Sequence, residues 1–133
     1  AADLQVLLAD GGDDWQNHGA MRCLRAMAAQ ASATRALLIC PWGSLGAFAL
    51  DTSSNDAFFQ AAEKVEAVDS LGAGDTFIAA SIFALAFGAG PQDTLRCACA
   101  VAGRKVAQRG LENLARLLPE MPWLKTNGGS IAR

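Results

Sequence analysis

The amino-acid sequence predicts an α/β fold, because apolar runs of strand length alternate with segments of helical pattern. Two continuous apolar runs, at residues 4–9 and 35–40, have the length of buried strands. Between them, apolar residues recur at the three-to-four spacing of an amphipathic helix. Further along, a glycine-rich loop opens onto an apolar segment of helix length at residues 76–87. This alternation along one chain is typical of α/β domains.

The composition indicates a folded domain and argues against several classes of function. Of the 133 residues, 52% are hydrophobic and 18% are charged, which is too apolar for a disordered chain. The net charge of −2, without a basic stripe, gives no support to nucleic-acid binding. The longest apolar stretch is too short to span a bilayer. No charged and then apolar leader opens the chain. We therefore expect a cytoplasmic protein that does not associate with membranes.

The cysteines and the single histidine predict reduced thiols and no zinc site. The four cysteines are Cys23, Cys40, Cys97 and Cys99. None of them forms a Cys-x-x-Cys pair, and most lie in an apolar context, as buried thiols in a reducing compartment do. His18 is the only histidine, so no spacing of zinc ligands is available.

The first elements are a strand, a turn and a helix. Residues 4–9 form the predicted strand, which ends in an acidic glycine turn at residues 10–14. The aspartates of this turn are expected to be solvated or capping, since the spacing of an EF-hand is absent. A helix is then predicted from Trp15 or His18 to about Ser32. Its apolar face consists of Met21, Leu24, Met27 and Ala28.

The middle of the chain predicts short strands that lead to the glycine loop. The run at residues 35–40 is followed by a turn and by a second short strand at residues 47–50. Residues 57–59 and 65–68 are predicted to be extended. The glycines around Ser44 fit a simple hairpin turn when they are considered alone.

The loop at residues 72–75 carries the strongest chemical pattern of the sequence. Gly72, Ala73 and Gly74 precede Asp75 and then the apolar segment. A helix that starts here leaves N–H groups unpaired at the positive end of its dipole, which favours a bound phosphate. Asp75 is either an ordinary helix cap or a general base beside that phosphate. The helix over residues 76–87 is apolar all round, which predicts burial between layers.

The last part of the chain predicts two further helices. Gly88 supplies a stop for the apolar helix, and Pro91 suits the first turn of the next, which Gly110 ends. The face of that helix consists of Leu95, Cys99, Ala102 and Val106. Its small residues permit close approach of another helix or of a flat molecule. Residues 111–123 predict a short helix around Leu114, Leu117 and Leu118, and residues 126–133 a loose tail.

The string at residues 69–75 resembles the second signature of the ribokinase-like, or PfkB-type, carbohydrate kinases. That signature reads Asp, a small residue, any residue, two small residues, Gly and Asp, and here it is Asp-Ser-Leu-Gly-Ala-Gly-Asp. Ser81 departs from the pattern, which prefers an apolar residue there. The text at residues 81–83 and 102–105 is most similar to the ketohexokinase type. The resemblance covers roughly residues 4–110.

The resemblance implies a fold and a domain organisation. It implies the C-terminal portion of a three-layer α/β/α sandwich, with a mostly parallel sheet, parallel strands near Leu4 and Ala36, and no β-lid. Residues 1–110 then form the C-terminal part of the kinase domain, and residues 111–133 a short helix and loose tail. Members of the family are more than twice as long as this chain. We therefore expect a piece of a longer protein, which as a whole forms a homodimer.

The resemblance also implies an activity, namely ATP-dependent phosphorylation of a sugar hydroxyl, with a ketohexose such as fructose favoured. Asp75 would be the general base, with the N–H groups of Gly72, Ala73, Gly74 and Asp75 as an anion hole. Mg²⁺ would bridge the phosphates of ATP. Asp69 would help to hold a monovalent cation such as K⁺. The residues expected to contact the nucleotide are Ser44, Gly46, Gly72, Gly74, Cys99, Ala102 and Gly103.

Two alternatives remain open beside the kinase. The chain lacks the part of the family that binds the sugar, so it is alternatively an inactive piece of the fold with a nucleotide-binding or structural role. An unrelated dinucleotide-binding domain is the weaker alternative. Gly72 and Gly74 are followed by Thr76 and Phe77, without a third glycine at the Rossmann spacing.

Overall fold

The computed structural model describes residues 14–30, 35–116 and 121 of the protein. The elements are α1 (Gly19–Gln30), β1 (Leu37–Pro41), β2 (Gly46–Asp51), β3 (Asp56–Ala61), α2 (Ala73–Ala86) and α3 (Pro91–Val106). Single-turn 3₁₀ helices at Asp14–Asn17 and Gly43–Leu45 precede α1 and β2. The predicted α/β class is confirmed.

The three strands form one sheet in the order β1-β2-β3, and both pairings are antiparallel. Ile39 lies opposite Ala49, and Phe48 lies opposite Phe59. The predicted mostly parallel sheet is therefore wrong for the part of the chain that is described. The reason is the short connections, since neighbouring parallel strands need a crossover of about a dozen residues. The strand predicted near Leu4 lies outside the described residues.

The central strand β2 divides the core into two clusters. Successive side chains of a strand point to opposite faces, and here the small residues Ala47 and Ala49 pack with α2 and α3. The larger Phe48 and Leu50 pack with α1 on the other face. All four side chains are fully buried. Helices therefore cover both faces of this small sheet.

Helix α1 packs on the sheet through its first half. Ala20, Met21 and Leu24 are buried, whereas Met27 is 52% exposed. The prediction that Met27 belongs to the packed face is therefore wrong. All the buried residues of α1 precede the turn that contains Met27.

Helix α2 buries only one side, although its sequence is apolar all round. Its buried apolar residues are Phe77, Ala80 and Ala84. On the opposite side, Ile78, Ile82 and Leu85 are 55%, 63% and 43% exposed. Burial between two layers is thus not seen within residues 14–30, 35–116 and 121. The predicted stop is confirmed, because α2 ends at Ala86, just before Gly88 with its positive φ of 85°.

Helix α3 packs along α2 and against β2 and β3. Pro91 occupies its first turn, as predicted. Of the predicted face, Leu95 and Cys99 are buried, whereas Ala102 and Val106 are only partly buried because they border a cleft. The helix ends at Val106, earlier than the predicted Gly110. The sequence also gave no hint that Lys105 is buried.

The connecting segments differ from the sequence predictions. Residues 62–70 run beside α3 without forming the extended strand predicted at residues 65–68. At residues 114–116 there is a single 3₁₀ turn where a longer helix was predicted, and Leu117 and Leu118 lie outside the described residues. Met121 packs into the core cluster of α2 and α3. Across the described ranges, no helix combines the length and the hydropathy that a membrane span requires.

Candidate functional site

A cleft of about 590 Å³ lies between the sheet, the start of α2 and the second half of α3. It brings together residues that are distant in sequence, from the turn before β2, from the segment after β3 and from both helices. The predicted nucleotide-contact or anion-hole residues that line it are Ser44, Gly46, Ala73, Gly74, Cys99, Ala102 and Gly103. Cys99, Ala102 and Gly103 share one side of α3, because residues three and four apart in a helix are neighbours.

Gly46 lines the cleft, but the sheet explains why it is a glycine. Its φ is 136°, and a Cβ built on it would lie 2.0 Å from the carbonyl oxygen of Gln60 on β3. The contact of Gly46 with a nucleotide stays a prediction, but the absence of a side chain there needs no nucleotide to explain it. The close approach of the β3 backbone alone excludes any side chain.

The glycine loop at residues 72–75 presents free N–H groups. Gly72 has a left-handed backbone, with φ of 80°, and comes just before α2. The Ala73 N–H donates to the Ser70 carbonyl at 3.1 Å, so it is not free as predicted. The N–H groups of Gly72, Gly74 and Asp75 have no acceptor in the described part of the chain. Three of the four predicted donors thus remain available at the positive end of a 14-residue helix.

The cleft is open beside this loop. A Cβ built on Gly74 would meet no atom within 4 Å, so the space next to its backbone is empty. Gly103, which also lines the cleft, lies close to Glu63. A Cβ built on Gly103 would be 3.6 Å from the Cβ of Glu63. An anion can therefore reach the backbone at Gly74, whereas any larger side chain there would fill the same space.

Asp75 and Gly72 are not among the residues that line this cleft. Both line a second cavity of about 400 Å³, together with residues of α2, α3 and residues 111–115. The Asp75 carboxylate is exposed, and it makes no hydrogen bond or ion pair with any described residue. It does not cap α2 in this structure, so the simple capping alternative finds no contact to support it. Asp75 is open to a substrate from the second cavity.

Asp69 is already paired with a cation of the protein. The Lys105 ammonium donates to the Asp69 carboxylate at 2.9 Å and to the Asp69 main-chain carbonyl at 2.9 Å. The hydrogen bond from Lys105 to the carboxylate, together with the one that the Leu71 N–H donates to it, lowers the pKa of Asp69 below its usual range. The Asp69 carboxylate, which was expected to help hold K⁺, therefore already has the Lys105 ammonium as its cation. The residues here do not fit a bound monovalent metal ion.

No multi-ligand metal site is found in the described ranges, and the thiol that lines the cleft, Cys99, is not a reactive one. No group of three or more His, Cys, Asp or Glu side chains there is placed to hold a metal. Burial raises the pKa of Cys97 and of Cys99 to about 11, so these thiols stay protonated. Cys23 and Cys40 are also free of disulfides. The cleft can therefore bind and orient a ligand, but it offers no thiolate nucleophile.

Comparison with known proteins decides the family. Residues 15–116 match the pfkB family carbohydrate kinases, which is more than half of the chain. The chain belongs to the pfkB family. The resemblance carried by residues 69–75 is thereby confirmed.

Several pfkB-type kinases are similar to the chain over part of their length. Mouse ketohexokinase is 40% identical over 79 residues, which are 59% of this chain and 26% of that protein. The adenosine kinase of Sinorhizobium meliloti superposes with a TM-score of 0.63 at 22% identity, over 75% of this chain and 30% of that one. The ribokinase of Cryptococcus neoformans var. grubii serotype A gives a TM-score of 0.57 at 19% identity, over 96% and 40%. The chain thus spans between a quarter and two fifths of these proteins.

For this pfkB family member, sequence reasoning missed part of the cleft. Glu63, Lys64 and Val65 line it from the segment that follows β3, and Phe77 lines it from α2. A loop without periodicity carries no pattern that predicts such contacts. The one usable hint is that this segment leads directly into the signature at Asp69.

Proposed function

We propose that the chain is the nucleotide-binding and catalytic portion of an ATP-dependent carbohydrate kinase. In this proposal it forms the C-terminal part of a three-layer α/β/α sandwich in a longer protein. ATP lies in the cleft, and its terminal phosphate rests on the free N–H groups of residues 72–75. A sugar hydroxyl attacks that phosphate, and a ketohexose is favoured because of the similarity to ketohexokinase.

One observation carries the proposal, namely that an open cleft and a free helix N-terminus meet at Gly74. Gly74 lines the cleft, and its N–H belongs to the three that lack an acceptor in the described ranges. Such N–H groups favour an anion, and phosphate is the common guest. The small side chain of Ala102 on α3 leaves room for a flat group next to the phosphates, whereas Glu63 already lies beside Gly103.

The size of the cleft suits a nucleotide. Sites for small molecules and cofactors commonly enclose about 300–1,000 Å³, and this cleft encloses about 590 Å³. The C. neoformans ribokinase, which shares the fold, was solved in complex with ADP. We propose that the adenosine lies between Ser44 and the exposed side of α3 at Ala102.

Phosphoryl transfer needs positioning and neutralisation of charge more than covalent chemistry. The N–H groups of Gly72, Gly74 and Asp75 would stabilise the charge that grows on the transferred group. Mg²⁺ would reach the site on the phosphates, held by their oxygens and water. Asp75 would accept the proton of the attacking hydroxyl, for which its exposed, unpaired carboxylate is suited.

In this proposal the acceptor sugar needs more polar partners than the described residues provide. The second cavity, which Asp75 faces, is otherwise lined mostly by apolar side chains such as Ala79, Phe83 and Leu114. The several hydroxyls of a sugar require polar partners when they are buried. We therefore propose that residues outside this chain complete the sugar site of the longer protein.

The direct test is ATP binding by the 133-residue chain. We expect Mg·ATP to bind with a Kd of about 1 mM or tighter by isothermal titration calorimetry. Inorganic phosphate, which lacks the adenosine, should bind more weakly than ATP. If Mg·ATP produced no binding heat and no shift in the unfolding midpoint, the nucleotide site would be refuted.

The assignment of the base is tested by Asp75→Asn in the complete protein. We expect fructose phosphorylation to fall by about 10²-fold or more while ATP affinity is retained. Asp93→Asn is the matched control, because Asp93 also lies in the first turn of its helix and pairs only with the exposed Arg96. Unchanged turnover in Asp75→Asn would rule out Asp75 as the base.

The second candidate is a portion that binds nucleotide without catalysing transfer. The apolar lining of the second cavity and the partial coverage of the relatives favour it for this chain alone. It predicts ATP binding without any fructose phosphorylation. An assay of ADP release with fructose, ribose and adenosine as acceptors separates the two candidates.

A further inference from the structure

Lys105 is a buried cation in a helix that otherwise buries small and apolar residues. Its side chain is only 1% exposed, although it lies in the last turn of α3. A buried ammonium is costly unless it is paired and fully hydrogen-bonded. Its partners therefore indicate what this residue does.

The hydrogen-bond partners of the Lys105 ammonium both belong to Asp69, the first residue of the signature at residues 69–75. The ammonium contacts one carboxylate oxygen and the main-chain carbonyl of Asp69, each at 2.9 Å. The other carboxylate oxygen accepts the N–H of Leu71 at 3.0 Å. The N–H of Gly110 approaches the first oxygen at 3.4 Å. Both oxygens of the carboxylate are therefore engaged.

Main-chain hydrogen bonds join the same two segments. The N–H groups of Val68 and Asp69 both donate to the carbonyl of Val106, at 2.8 and 3.1 Å. That carbonyl lies at the end of α3, where helix carbonyls lack partners. The segment that leads into the glycine loop is thus fixed to the end of α3. Ala67 and Ser70 of this segment and Val106 of α3 line the cleft.

We propose that Lys105 is a positioning residue that serves as the built-in cation of the glycine loop. It orders residues 69–72, so the chain needs no bound monovalent metal ion for this purpose. The predicted effect on nucleotide affinity rests on the proposed function, whereas the predicted effect on stability does not.

The chemistry of the position supports this assignment. A potassium ion beside Asp69 would use the same carboxylate and carbonyl oxygens. The ammonium has the same single positive charge, and it directs hydrogen bonds to those two oxygens. A second cation at this distance would be repelled by the first. With Lys105 in place, the position cannot also hold potassium.

The wild-type chain provides the first test, by comparing salts at equal ionic strength. In KCl, NaCl and tetramethylammonium chloride we expect thermal unfolding midpoints that agree within about 1 °C, because no ion is bound specifically. We expect the Kd of Mg·ATP to agree within about twofold in the three salts. A selective stabilisation by KCl, or much tighter ATP binding in KCl, would overturn the proposal.

The second test removes the ammonium. Lys105→Met keeps most of the side-chain length but leaves Asp69 unpaired, and we expect ATP affinity in NaCl to fall by about tenfold. Potassium should then partly replace the lost charge, so KCl should raise both the unfolding midpoint and the ATP affinity of this variant above their values in NaCl. A purely structural lysine would show no such preference for potassium.

The matched control is Arg104→Met, which removes the same charge from the neighbouring exposed position of α3. We expect its ATP affinity and its midpoint to be the same in KCl and NaCl. If no variant binds ATP in any salt, the proposed function fails, and the unfolding midpoints still decide the role of Lys105. If Lys105→Met does not fold, the salt comparison on the wild-type chain decides it.

Discussion

Gly46 and Gly74 face the same cleft, yet the structure gives opposite reasons for the absence of a side chain. At Gly46 a Cβ would lie 2.0 Å from the Gln60 carbonyl oxygen, so the fold itself requires glycine. At Gly74 a Cβ would meet nothing within 4 Å, so the fold leaves the position free. A glycine that lines a cleft is therefore not by itself evidence of a ligand.

The two walls that carry these glycines are also built differently. The wall at Gly46 belongs to the sheet, which is supported by aromatic contacts such as Phe48 on Phe59, with ring centroids 4.9 Å apart. His18 stacks on Phe48 in the same cluster, at 4.8 Å. The wall at Gly74 belongs to helices α2 and α3, which pack through small residues such as Ala80 and Ala98. We expect changes in the first wall to affect stability and changes in the second to affect binding.

The largest expected effect is that of Gly46→Ala on stability. The added methyl group collides with the backbone of β3, and φ of 136° is unfavourable for any residue with a side chain. We expect the free energy of unfolding to fall by about 3 kcal/mol or more, as measured by urea denaturation.

Gly43→Ala is the control for that change. Gly43 also has a positive φ, of 55°, but a Cβ there would have open space. The left-handed backbone alone costs about 1–2 kcal/mol. Equal losses in the two variants would mean that the collision with β3 relaxes, and the contrast between the walls would weaken.

Gly74→Val should have the next largest effect, on binding and not on stability. Valine is no worse than glycine in a helix, so we expect the free energy of unfolding to change by less than about 0.5 kcal/mol. Its side chain would occupy the space beside the free N–H groups, and we expect ATP affinity to fall by about tenfold or more, equivalent to about 1.4 kcal/mol.

Gly90→Val provides the comparison for that variant, because Gly90 precedes α3 and also has open space around it. Calorimetry should give it the ATP affinity of the wild type. Normal ATP binding by Gly74→Val would show that the phosphates lie elsewhere.

A smaller effect is expected from pH on the stability of the fold, through His18 in the wall that belongs to the sheet. Burial, with a contribution from the charge of Arg22, lowers the pKa of His18 below its ordinary value of 6.5. The unfolded chain therefore binds a proton on this ring more readily than the folded chain does. Stability is complete above about pH 6.5 and falls as the pH drops below it.

Urea denaturation at several pH values between about 7.5 and 5.5 measures this slope. His18 is the only histidine, so the part of the slope that histidine causes belongs to it. In the wild type, the His18 ring accepts a hydrogen bond from the Ala20 N–H at 3.0 Å. His18→Asn keeps a side-chain oxygen that can accept the same hydrogen bond. That variant should lose the slope, and an unchanged slope would assign it to the carboxylates.

The smallest expected effect concerns the thiols of the helix wall. Because burial raises the pKa of Cys97 and Cys99 to about 11, very little thiolate is present at neutral pH. We expect iodoacetamide to modify the exposed Cys23 well before either of them, as read by peptide mass spectrometry. Early modification of Cys99 would indicate that the cleft is more open than described.

Local pattern was enough to predict much of the fold and the glycine loop. The helix near Met21, the strand ending near Cys40 and the helix after the glycine loop each depend on residues close in sequence. The predicted start of that last helix, at Thr76, is three residues later than the observed start of α2 at Ala73. Six of the seven residues expected at the nucleotide also line one cleft, because the signature and the helix that follows it were matched to a known family. The seventh, Gly72, lines the second cavity.

Contacts between distant residues could not be predicted in this way. Lys105 and Asp69 are 36 positions apart, and no local sequence pattern around either residue predicts that they pair. The antiparallel sheet depends on how two short turns fold back, and the collision at Gly46 depends on the approach of Gln60. The exposed side of α2 at Ile82 follows from what packs against the helix, which its apolar sequence does not reveal.

The turn at residues 72–75 borders both cavities. Ala73 and Gly74 face one compartment, while Gly72 and Asp75 face the other. Each residue of a helix is rotated by about 100° from the one before it. Inserting or deleting a single residue here would therefore change which of these residues border the cleft. The length of this segment is consequently constrained, as is the identity of Gly74 and Asp75 within it.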